Sequence, residues 1–164
     1  MISDLVVRPR RRTAFTLIEI LIVVAILAMV ASLGVLPVLR ARITAQEHAA
    51  LNEMRQIAKA CQSYLAVNQA YPSGLQQLAL PAANPPYLNE SLVGDGTTLT
   101  KQGYTFAYAQ PNPDEPGSTA TFRILANPVT HGVTGERHFI INQTMATYAT
   151  AEDRDATISD MLLQ

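Results

Sequence analysis

The residue whose chemistry most needs a partner is Glu19, the one ionisable side chain in an otherwise apolar run over residues 15–39. A carboxylate inside hydrocarbon costs about 2.5–3.5 kcal/mol on insertion scales, so it marks a functional site by default. The other groups able to do chemistry are few. Cys61 is the only cysteine, which rules out an intrachain disulfide. On its own stripe it reads as a small buried apolar group, since no base is placed to activate it. His131 and His138 stand seven apart with no third ligand nearby in sequence, and no metal site is expected from them. Glu152, Asp153, Asp155 and Asp160 make an acidic C-terminal stretch that lacks the central glycine of an EF-hand loop. It reads as a solvated tail or a short final helix. No serine sits in a nucleophile elbow, so neither catalytic residues nor a cofactor are expected, and the chain is not read as an enzyme.

The element that must position Glu19 is a helix. Residues 15–39 number 25, about 37 Å of helix at 1.5 Å per residue, enough to cross a hydrocarbon core of about 30 Å. Arg8, Arg10, Arg11 and Arg12 precede the run and should stay cytoplasmic, which puts the polar remainder on the far side of the membrane. No apolar segment precedes Ala14, so an ordinary cleavable secretory signal is not expected. Gly34 and Pro37 fall near the end of the run. Proline removes a helical hydrogen bond, and a kink or loosened turn is expected there, either for repacking or as a plain bend at the membrane surface.

Ala14-Phe15-Thr16-Leu17-Ile18-Glu19 resembles the processing site of the type IV pilins and of the pseudopilins of type II secretion. That resemblance implies cleavage between Ala14 and Phe15 by a prepilin peptidase, then N-methylation of Phe15. The family usually has glycine where this chain has Ala14; a small residue is kept, and cleavage is expected. It further implies that the cationic amine of Phe15 in one subunit meets Glu19 of a neighbour as helices pack into a filament. A slipped subunit would leave both charges unmatched, which favours docking in register. A carboxylate that merely snorkels to the headgroups is the plain alternative.

Beyond the membrane the pattern changes. Over 40–68, Ile43, Ala50, Leu51, Met54, Ile57, Ala58, Cys61, Tyr64 and Leu65 recur at helical spacing, while Arg42, Gln46, Glu47, Glu53, Arg55 and Lys59 fall between them as the other faces. Residues 69–103 read as a loop broken by prolines, with Ser73 capping a short helix and Gly94-Asp95-Gly96 a turn. Over 104–164, alternation marks strands at Tyr104/Phe106/Tyr108, Phe122/Ile124/Ala126 and Phe139/Ile141, with a fourth near 145–148. The expected fold is therefore α+β: a long N-terminal helix whose second half packs on a small antiparallel meander. This order again resembles the pilin fold.

Charge and size bound the rest. The whole chain has a formal net charge of −1; the leader over 1–14 holds four arginines against Asp4, so its removal leaves −4. That mild acidity gives no footprint for nucleic acid. About 95 residues beyond the helix suffice for one compact domain. The resemblance implies a structural subunit of a type IV pilus-like filament, with a major type II secretion pseudopilin as the alternative. A solitary single-pass membrane enzyme or sensor is more remote, because the sequence offers it no convergent polar site. Implied partners are further copies in a helical filament, the prepilin peptidase, an inner-membrane assembly platform and minor pilins. The implied location is the bacterial inner membrane before assembly and an extracellular or periplasmic filament after it.

Overall fold

The computed structural model describes residues 15–32, 35–110 and 121–163. The leader, Ala14, Gly34 and the proline-rich connection at 111–118 therefore lie outside the described residues. The chain divides into two compact units, Met1–Val38 and Leu39–Gln164.

In the first unit, helix α1 spans Leu17–Ser32 and has no buried residue. It is apolar on every side, with one carboxylate in its first turn. Such a helix cannot settle one face on a core and leave the other to water; it needs an apolar surrounding. It belongs to a helix long and apolar enough to cross a membrane.

Helix α2 spans Val35–Asn68, and its portion in the second unit carries the core stripe. Ala50, Leu51, Met54, Ile57, Ala58 and Cys61 are buried, and they pack with aromatic residues of the sheet. The sheet has six strands in simple meander order: β1 Thr98–Lys101, β2 Tyr104–Ala109, β3 Arg123–Pro128, β4 His138–Asn142, β5 Thr147–Thr150 and β6 Met161–Leu163. Every neighbouring pair is antiparallel. Tyr104, Phe106 and Tyr108 alternate inward along β2, Ile124 and Ala126 along β3, and Phe139 and Ile141 along β4. The α+β architecture expected from the order of patterns is the architecture found.

Several expectations are corrected. β1 lies inside the stretch read as loop; Gln102 and Gly103, with φ of 49° and 82°, turn it directly into β2. Two left-handed residues form the tight hairpin turn that matches strand twist. β6 lies where a tail or helix was expected, and pairs with β5. The turn at Leu75–Leu78 is a 3-10 helix capped by Gly74 without any side-chain bond, so Ser73 is not its cap. Glu47 and Glu53, placed on the outer faces of α2, are 5% and 6% exposed. Glu47 stands three and four residues before Ala50 and Leu51, and so shares the buried stripe.

Candidate functional site

Phe15 and Thr16 lead into α1. The Glu19 amide lies 3.3 Å from Thr16 Oγ1 and 3.1 Å from the Thr16 carbonyl oxygen, which makes Thr16 the cap of the helix. The spacing Thr16-x-x-Glu19 is that of a capping box, a signal local enough to be carried by the sequence. It places the carboxylate of Glu19 in the first turn, where the helix dipole also favours negative charge. That carboxylate makes no hydrogen bond or ion pair among the described residues. Phe15 is 71% exposed, and Leu17, Ile18, Ile20 and Leu21 beside it are more than half exposed. An apolar surface therefore surrounds one unpaired acid at the start of the helix. Pro37 lies within α2.

The second unit holds its acids differently. Glu47 takes hydrogen bonds from the backbone amides of Glu136 and Arg137 and from the Arg137 side chain. Glu53 pairs with Lys101 at 3.0 Å. Both bonds tie α2 to the sheet region. Cys61 is buried, and burial pushes its thiol up to about 12, which leaves almost no thiolate at neutral pH.

The acidic C-terminal stretch has an internal cation. Arg154 bonds Glu152 at 2.6 Å and clasps Asp160 with two nitrogens at 2.6 and 3.0 Å. Asp155 accepts from Asn127 Nδ2 at 2.6 Å. Asp153 is thereby left facing His131 and His138, at 4.0 and 3.5 Å. The sequence offered these histidines no third ligand. The fold supplies one, because the segment between β5 and β6 returns to the face of the sheet that bears Asn127 and His138.

Comparison with known proteins gives two matches. Residues 9–35 match the family described as the prokaryotic N-terminal methylation motif. Over 121 residues the chain is 29% identical to "Type II secretion system core protein G" of Vibrio cholerae serotype O1 (strain ATCC 39315 / El Tor Inaba N16961), a stretch covering 72% of this chain and 83% of that protein. No solved structure matches.

Proposed function

The chain belongs to the type IV pilin and type II secretion pseudopilin family, and from that premise we propose that it is a structural subunit of a pilus-like filament, built through its N-terminal helix. The observation that carries this reading is α1 itself: apolar all round, without a buried residue, and bearing Glu19 four residues behind Phe15. Before assembly the helix rests in the inner membrane. Prepilin peptidase cuts between Ala14 and Phe15, and the new amine of Phe15 is methylated. The amine of an incoming subunit then neutralises Glu19 of its neighbour, so each charge is matched only when the helices are in register. Pro37 has no backbone N–H to complete a helical hydrogen bond, and with Gly34 we assign it the loosening of the helix that lets subunits repack. An inner-membrane platform and minor subunits would assist assembly.

Within this reading, the pilus suggested by the sequence alone competes with a secretion pseudopilus. The likeness to core protein G across most of both chains favours the pseudopilus. Deleting the gene separates the two. Loss of exported folded enzymes, with surface fibres intact, supports a pseudopilin, whereas loss of surface fibres with secretion intact supports a pilin. The filament reading as a whole is tested by mass spectrometry of the mature chain. An N-methylated phenylalanine terminus at Phe15 is expected, and an intact Met1 terminus in cells with active peptidase would overturn it.

A further inference from the structure

The outer face of the sheet holds a buried imidazole with one nitrogen unaccounted for. His138 opens β4, and its side chain is 6% exposed. Its Nδ1 lies 3.0 Å from Asn127 Oδ1 on β3. The other end of that amide decides the proton: Asn127 Nδ2 donates to Asp155 at 2.6 Å. Oδ1 is therefore the acceptor, and Nδ1 of His138 carries the hydrogen. A neutral ring in this tautomer presents a lone pair at Nε2.

That nitrogen makes no hydrogen bond, and it faces Asp153 Oδ1 at 3.5 Å. A lone pair opposite a carboxylate oxygen is repulsive unless something positive lies between them. A cation held between the two atoms would satisfy both. His131 stacks on His138 with ring centroids 5.5 Å apart, and its own Nδ1 is 4.0 Å from the same Asp153 oxygen. One ligand atom from each of the three residues lies within 4.8 Å of the others. Ligands held about 2.0–2.2 Å from a tetrahedral ion sit roughly 3.4 Å apart. His138 and Asp153 are already at that spacing. His131 is on a turn and one-third exposed, and Asp153 is three-quarters exposed, so both are free to close the remaining gap.

We propose that His131, His138 and Asp153 bind a divalent transition-metal cation of the zinc type. Two imidazoles and one carboxylate suit such an ion, whereas calcium and magnesium prefer a cage of oxygens. The remaining acids of the segment are committed to Arg154 and Asn127, which leaves Asp153 as the anionic ligand. The chain Asp155–Asn127–His138 is the outer shell that fixes the ligating ring. A bound ion would clip the turn after β3 and the start of β4 to the segment between β5 and β6, and so fasten the last strand. This site does not depend on filament assembly.

The test uses the full mature chain in detergent, without a histidine tag, titrated with zinc against a chromogenic chelator. One zinc per chain is expected, with cobalt giving the visible bands of a four-coordinate site. His131→Ala and Asp153→Asn should each weaken zinc binding roughly tenfold or more, and Asn127→Ala should do so through the outer shell. His131→Ala replaces a partly exposed turn residue, so its metal-free melting temperature should match the parent and serve as the folding control. Zinc bound equally well by His131→Ala, no zinc bound at all, or calcium bound in preference with the histidines irrelevant would each overturn the proposal.

Discussion

Glu47 and Arg137 are joined across the helix–sheet boundary by an ion pair of 2.7 Å, Oε2 to Nη2, and the same carboxylate accepts the Glu136 and Arg137 backbone amides at 2.9 and 3.1 Å. Glu47 thus does for the entry to β4 what a cap does for a helix end. Removing it would strand two amides and a guanidinium at once.

Glu47→Ala should therefore destabilise the folded domain by about 2–3 kcal/mol, below the full cost of breaking a buried pair because Arg137 is partly exposed. Glu47→Gln keeps an acceptor for the amides and should cost roughly half as much. Urea denaturation of the detergent-solubilised chain, followed by circular dichroism, measures both. Equal stability of Glu47→Ala and the parent would show that the contact contributes nothing.

Gly135 has no room for a side chain. A Cβ there would overlap the Tyr104 hydroxyl, which donates to the Arg137 carbonyl oxygen at 2.9 Å. Gly135→Ala should cost about 1–3 kcal/mol from overpacking. Tyr104→Phe in the same chain should recover part of that loss, since it removes the nearest atom while ring carbons Cζ and Cε2, at 2.5 and 2.8 Å, stay. A double-mutant cycle reads the coupling; simple additivity would contradict the clash.

Cys61 should behave as core and not as a reagent. Iodoacetamide at neutral pH should leave the native thiol unlabelled and react once denaturant is added, because burial holds it protonated with a pKa of about 12. Cys61→Ala removes one sulfur from a packed stripe and should cost about 1–2 kcal/mol without preventing assembly. Rapid labelling of the native chain would refute this.

The C-terminal clasp predicts a specific acid response. Hydrogen bonding from Arg154 holds the Asp160 carboxyl well below the ordinary carboxylate range. A group depressed on folding stabilises the native state at pH values above its unfolded pKa of about 3.9, and that contribution fades as pH falls from there through the folded value. Asp160→Asn should therefore lower stability at neutral pH and converge with the parent in strong acid. Melting curves across pH test the sign: a gap that widens on acidification would be the wrong one.

Glu19→Ala should still insert and be processed but should fail to grow filaments. The incoming amine would then enter an apolar core unmatched, at a cost on the scale of about 2.5–3.5 kcal/mol, or roughly a hundredfold in subunit addition. Electron microscopy of shear fractions, alongside a blot for the processed chain, separates the two steps. Normal filament numbers would remove Glu19 from assembly.

The helix and four of the strands were legible because their signals are local, the fourth expected near 145–148 and found at Thr147–Thr150. The alternation at Tyr104, Phe106 and Tyr108 is carried by neighbours in the chain, as is the apolar stripe from Ala50 to Cys61. β1 and β6 were missed since both are short: Leu99 is the one apolar side chain of β1, and β6 is three residues, too few to show alternation. A partner strand, not composition, makes each a strand.

By itself the amino-acid order determined the N-terminal character of this protein: the run over 15–39, the acid at Glu19 and the junction at Ala14-Phe15 are contiguous, so their chemistry needs no fold to assemble it. Tertiary structure alone decided the rest. It buried Glu47 and Glu53 by giving them Arg137 and Lys101, and it carried Asp153 back to His131 and His138. Those partners are far apart along the chain, and whether an ionisable side chain is solvated, paired or left waiting depends on which distant segment packs beside it.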